Sequence, residues 1–226
     1  VDDTNNDNDD DDYDDDQLLR EAATLAKDKD DDNDDNWAVD MSEEAIKARQ
    51  REVTASIGAL SLDDANQELS PYDQLGEWIG NSSSHDDVSI YKKLVDLKLD
   101  KDYRACQVIA QCLFSPENIV AEIKLHAGLL CKLTSASQKG ERYFLGGIER
   151  FVGISHPDMI PKVPAIFHAL YETDVVSEDA FEAWGRTVSK KYVDRDVFRK
   201  IRKAASPFLE WLAEAEEDSS ESEDED

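Results

Sequence analysis

From about residue 86 to residue 217 the apolar positions recur every three to four residues, the period of a helix with one buried face. Val88, Tyr91, Val95 and Leu99 fall on one face of a first helix, and Ala105, Val108, Ile109, Cys112 and Leu113 give the full stripe of a second. Ser115-Pro116 supplies a capping hydroxyl and a proline at the first helical position. A long third helix is predicted from about Glu117 to Thr134, apolar over a wide arc, as a central helix is. A fourth spans about Gln138–Ile154 and a fifth about Lys162–Thr173. A sixth starts at a Ser177 cap and carries Phe181, Trp184 and Val188; the last runs from about Asp194. Ser206-Pro207 either kinks that helix or restarts it as Phe208, Trp211 and Leu212. No strand alternation interrupts the pattern, and the short connections make consecutive helices pack antiparallel. The expectation is an all-α domain over 86–217, a HEAT-like stack of antiparallel helical hairpins with about seven or eight helices and disordered acidic ends.

Upstream, residues 37–85 read as a linker with a helix at about 40–53. Asp40 is its cap, Glu43 stands at capping-box spacing, and acids precede bases along it. One short helical turn is expected around Asp73–Ile79. Residues 1–36 and 218–226 read as disordered acidic segments, because like charges repel and there is little apolar area to bury. The Asp runs lack the central Gly and terminal Glu of a calcium loop.

Charge sharpens this division. The chain has 226 residues, 53 acidic and 25 basic, a net charge of −28. Residues 1–36 hold 17 acids and 3 bases, and residues 210–226 hold 10 acids and no base, so the middle is almost neutral. Such a field repels a polyanion, so direct DNA binding is excluded and RNA is disfavoured. No apolar run is long enough to span a membrane. Cys106, Cys112 and Cys131 form no CxxC pair, which fits a reducing, cytoplasmic compartment. The chain begins without Met, inside an Asp run, and reads as a piece of a longer protein.

Motifs for phosphate loops, dinucleotides, zinc proteases and nucleophile elbows are absent. No metal or cofactor is expected. His126 falls between Ile123 and Leu130 and reads as a core histidine; His156 and His168 have no evident partner. The informative segments are two mixtures of carboxylates and large aromatics, at 170–184 and 207–217. Their plain reading is aromatics to the core and acids to water. Carboxylates on a fixed helical frame beside aromatic faces also suit lysine-rich peptides, whose stems lie on rings while ammonium groups meet acids. A third feature is opposite in sign: Lys190, Lys191, Arg195, Arg199, Lys200, Arg202 and Lys203 either balance the acidic tail or form a second partner surface. Ser219, Ser220 and Ser222 lie in an acidic run suited to an acidophilic kinase.

The stretches YETDVVSEDAFEAWG and SKKYVDRDVFRKIRKAASPFLEWLAEAEED resemble the two-tryptophan domain that closes translation initiation factor five; WAVDMSEEA, at 37–45, resembles that family's linker. The resemblance implies an adapter that docks lysine blocks of the beta subunit of initiation factor two and meets initiation factor three, initiation factor one and the scaffold factor four-G. Carried over, the first acidic-aromatic box is Tyr171, Glu172, Asp174, Glu178, Asp179, Glu182 and Trp184; the second is Phe208, Glu210, Trp211, Glu214, Glu216 and Glu217. The family's GTPase-activating arginine and zinc ribbon belong to another domain, and three cysteines make no four-cysteine site. This chain is therefore expected not to be an enzyme. Two other readings remain: the exchange domain of the epsilon subunit of the exchange factor for initiation factor two, and an acidic chaperone of basic proteins.

Overall fold

The computed structural model describes residues 40–42, 44–49, 69–81, 85–137, 139–187 and 191–221, with side chains described to residue 215. The expectations for residues 1–36 and 222–226, for Trp37 and Glu43, and for Lys190 and Ser222 fall outside them. Every regular element among the described residues is helical. After a helical segment at 44–49 come α1 (Pro71–Gly80), α2 (Asp87–Asp96), α3 (Arg104–Cys112), α4 (Ile119–Leu125) and α5 (Ala127–Thr134). Then follow α6 (Gly140–Arg150) with a π-helical turn at Phe151–Ser155, a 3₁₀ segment at Pro157–Lys162, α7 (Val163–Glu172), α8 (Glu178–Arg186) and α9 (Arg195–Glu221).

Side-chain pairings give the order of stacking. Tyr72 donates to Asp102 at 2.6 Å near one end of α1 and α3, and Gly76 lies against Val108 further along both. Tyr103 meets Tyr143 at 4.7 Å, and Arg150 Nε donates to Gln111 at 3.3 Å at the other ends of α3 and α6. Ser177 N–H donates to Glu141 at 3.3 Å, and Trp184 Nε1 donates to Glu149 at 2.6 Å. Residue numbers rise together in each pair, so α1, α3, α6 and α8 run parallel in one layer. The helices between them must return in the other direction, which makes the HEAT-like stack of antiparallel hairpins.

Local chemistry sets the ends. Ser70 caps α1 through Asp73 N–H, ahead of Pro71, and Ser177 caps α8 through Ala180 N–H. Two helices end on the same device. Lys98 takes φ 58° while Leu99 N–H reaches back to Leu94 O at 2.8 Å; Asp174 takes φ 54° while Val175 N–H reaches Leu170 O at 3.0 Å. In both, a buried apolar residue follows the left-handed one, as a Schellman closure requires. Pro207 does not interrupt α9. It leaves Lys203 O without its helical donor, and Ser206 Oγ donates there at 3.0 Å instead.

Several expectations change. On α2 the core face is Ile90 and Leu94, while Val88 and Val95 stand 58% and 46% exposed. Two apolar stripes compete there, and the packing of neighbouring helices selects between them. The long third helix is two: it breaks at His126, whose ring nitrogen lies 2.6 Å from Asp87 on α2. Ser115 does not cap; its N–H and hydroxyl both donate to Glu122 at 2.7 Å, and α4 starts four residues later. Ser42, not Asp40, caps the 44–49 helix, through Ala45 N–H. Asp40 instead accepts from Ser42 N–H and pairs with Arg150 at 3.1 Å. The turn expected around Asp73–Ile79 is the full α1, whose Leu75 and Ile79 share the core with Met41, so packing draws on chain upstream of residue 86.

α3 and α6 approach closely at Gly147. A Cβ there would stand 2.6 Å from both Ala110 Cβ and Gln107 O. Gly147→Val is expected to lower unfolding stability by about 3 kcal/mol, read as a reduced urea midpoint with an unchanged slope.

Candidate functional site

α9 crosses α7 and α8 through an aromatic cluster. Phe208 is buried and meets Phe181 at 4.8 Å, Phe167 at 5.7 Å and Tyr171 at 6.4 Å. Trp211 follows one turn later, at the rim. It is 39% exposed, edge-on to Tyr171 at 5.6 Å and tilted over His168 at 4.8 Å. The two acidic-aromatic boxes thus meet at Tyr171 and Trp211, which form a surface shelf.

The two other aromatics of the boxes are not part of the shelf. Phe208 fills the core, and Trp184, 9% exposed, packs on Phe167 at 5.0 Å and Phe198 at 5.6 Å. Trp184 also spends its indole N–H on Glu149. These side chains hold the boxes in place rather than present a surface.

The carboxylates divide in the same way. Glu210 and Glu214 are exposed on α9, and Asp179 is exposed with half-buried Glu178 in the first turn of α8; none is ion-paired to a described Lys, Arg or His. Glu172 is exposed but engaged by Lys124 at 3.0 Å and His168 at 3.4 Å, and the Lys124 bond holds its carboxyl below the usual range. Glu182 pairs with Arg186 at 2.9 Å. Asp174 carries the backbone closure of α7. The side chains of Glu216, Glu217, Ser219 and Ser220 lie outside the described residues. The acids of the boxes with no ion pair among the described residues are therefore those of α9, the start of α8 and the exposed Asp174.

The basic cluster also separates. Lys191 donates to Tyr143 OH at 3.0 Å with its ammonium over that ring, so it belongs to the packing. Phe198, Ile201, Ala205, Phe208 and Leu212 form the buried stripe of α9. At 100° per residue, Arg195, Arg199, Lys200 and Lys203 fall on the opposite, exposed side, with Arg202 at its edge. Of these, Arg199 meets Asp196 at 3.6 Å. Because α9 is one continuous helix, its acids from Glu210 onward are carried away from these bases and do not neutralise them.

Three contributors were not apparent in the sequence. Glu149 is the buried partner of Trp184; its position on α6, beside Arg150, shows no such role in sequence. Lys124 reaches the site from another hairpin. His168, which has no evident partner in the sequence, stands 3.4 Å from Glu172 four residues on. Elsewhere the chemistry is quiet: burial pushes the Cys106 and Cys112 thiols up to about 12, which makes them poor nucleophiles. Among the described residues no group of His, Cys, Asp or Glu is placed to hold a metal ion, and no helix is long and apolar enough to cross a membrane.

Comparison with known proteins bears on the family and the fold. The family model W2, described as eIF4-gamma/eIF5/eIF2-epsilon, matches residues 140–222. Eukaryotic translation initiation factor 5 of Saccharomyces cerevisiae is 42% identical over 197 residues, 84% of this chain and 46% of that protein. The probable factor 5 of Schizosaccharomyces pombe is 40% identical over 82% of this chain and 48% of its own length. The chain thus spans about half the length of these relatives. A solved structure, the C-terminal domain of translation initiation factor 5 at low pH, superposes with a TM-score of 0.64 at 41% identity, covering 70% of this chain and all of that one.

The Trp184–Glu149 bond has a pH signature. Desolvation pushes the Glu149 carboxyl up to about 8, with the Trp184 bond and Arg150 charge pulling partly back, and its second oxygen has no partner. The folded state thus keeps a proton that the unfolded state releases near pH 4.5, so this group erodes stability as pH rises from there to about 8. Glu149→Gln retains the indole acceptor and cannot ionise. Its urea midpoint is expected to lie close to wild type at pH 5 and above it at pH 8. The gap should widen by about 1.4 kcal/mol for each pH step over which only the unfolded carboxyl is ionised.

Proposed function

Because the chain belongs to the translation initiation factor 5 family, we propose that its helical domain is an adapter that docks lysine-rich segments of other initiation factors. The observation that carries this reading is the shelf of Tyr171 and Trp211 flanked by the unpaired Glu210 and Glu214. An indole held edge-on to a phenol leaves a ring face for an aliphatic lysine stem, and the neighbouring carboxylates meet its ammonium group. Glu178 and Asp179 enlarge the acidic field, which speeds encounter with a polycation and makes the contact salt-sensitive.

The lysine blocks of the beta subunit of initiation factor two are the partner this chemistry fits. Initiation factor three, initiation factor one and the scaffold factor four-G are the further partners of such an adapter, in the cytoplasm. The domain acts by binding, and GTPase stimulation is assigned to another part of the longer protein. Two tryptophans divide the labour: Trp184 shapes the frame from inside, and Trp211 touches the partner.

A lysine-block peptide is expected to bind the whole chain at low salt and to weaken roughly tenfold or more as salt rises from about 50 to 500 mM. Trp211→Ala, and Glu210→Lys with Glu214→Lys, should each cost about tenfold or more in affinity with the fold intact by circular dichroism. Reversing Glu223 and Glu225 in the tail should cost far less. Equal losses would favour an acidic chaperone, and strong nucleotide release from a GTPase by this chain would favour an exchange domain.

A further inference from the structure

The charge order of α9 opposes its own dipole. Cations favour a helix C-terminus and anions an N-terminus, yet here Arg195, Arg199, Lys200 and Lys203 come first and the acids last. Among the described residues, Arg195, Lys200, Arg202 and Lys203 have no carboxylate partner, and Arg199 has only Asp196. A solvent-facing ridge of cations with almost no carboxylate partner calls for an anionic occupant.

The chain carries one, and the fold fixes the point, Asp40, from which it is tethered. Asp40 and Met41 are clasped to the stack. Asp40 pairs with Arg150, Met41 N–H donates to Gln111 at 3.2 Å, and Arg49 binds Asp40 O at 2.8 Å and Asp73 at 2.6 Å. The Met41 sulfur lies against Gly76, where no Cβ stands in its way. The guanidinium that holds Asp40 also donates to Tyr192 O at 2.7 Å. One arginine therefore joins Asp40, five residues after the last of the Asp-rich segment, to the residue three before Arg195. Six aspartates, Asp28, Asp30, Asp31, Asp32, Asp34 and Asp35, lie five to twelve residues before Asp40. Five extended residues reach about 17 Å, and Arg195 to Lys203 rises about 12 Å along α9.

We propose that the Asp-rich segment 28–35 docks in cis on the cationic ridge formed by Arg195, Arg199, Lys200 and Lys203, occupying a surface that otherwise accepts an acidic segment of another protein. The acids of α9 itself cannot serve, since one rigid helix separates them from the ridge. Asp194 and Asp196 sit within the basic stretch and offset it in part. A tethered occupant acts at millimolar effective concentration and so masks the ridge from weaker competitors without sealing it.

The cationic ridge is independent of the lysine-binding shelf, and probes of opposite charge separate the two. Carbodiimide cross-linking of the whole monomeric chain at low salt is expected to join acids of 28–35 to Lys200 or Lys203, with the links lost at high salt. Replacing the six aspartates by Asn should tighten binding of a deca-glutamate peptide roughly tenfold. Adding Arg195→Glu, Arg199→Glu and Lys203→Glu should abolish that binding. Absent cross-links together with unchanged deca-glutamate affinity would overturn the proposal. So would a gain seen for an oligouridine probe but not for deca-glutamate, which would make the ridge an RNA surface.

Discussion

The ring of Phe208 governs both the stability of this domain and the character of its surface. It is the point where α9 is pinned, buried against Phe167 and Tyr171 of α7 and Phe181 of α8. Aromatic contacts of this kind prefer edge-on geometry, which orients the helix as well as anchoring it. Trp211 lies one turn further on and is held at the rim by the same anchoring. Pro207 precedes the anchor at no cost in continuity, because the Ser206 hydroxyl satisfies the carbonyl that the proline leaves unbonded.

Electrostatics then divides α9 in two. Its first half is a cationic ridge and its second half an acidic face beside an exposed indole. Of the bases, only Arg195 stands in the first turn, where a misplaced charge costs a few tenths of a kcal/mol to about 1 kcal/mol against the helix dipole, and Asp196 offsets it there. A helix built for stability alone would carry the reverse order. Two surfaces of opposite sign thus lie on one rigid rod, one next to the Arg150 pairing of Asp40 and Tyr192 and the other beside the exposed indole of Trp211. The buried Glu149 is a related expense: its acid satisfies Trp184 at the cost of stability at neutral and alkaline pH.

The helical character and the stacking of antiparallel hairpins were legible in the sequence, because a 3.6-residue period and short connections leave few alternatives to a stacked helical array. The caps at Ser70 and Ser177 illustrate the physics: a hydroxyl that satisfies an otherwise unbonded N–H is a local decision. The acidic-aromatic composition of both boxes was equally local. Choices between two locally equal options were not legible. Nothing within α2 prefers Ile90 over Val88; the volume offered by neighbouring helices does. The break at His126 depends on Asp87, 39 residues away. Asp174 reads in the sequence as an acid of the first box; that its backbone also ends α7 in the left-handed region was not legible.

The sequence by itself determined which segments become helices, where most of them begin, and the opposite signs of charge along the last one, because each follows from contacts within a few residues. Only the tertiary structure decided that Trp184 turns inward while Trp211 faces water. It also decided that one arginine ties Asp40 to the head of the basic stretch. Burial is a property of what packs across from a residue, and the chain does not write that in its own neighbourhood.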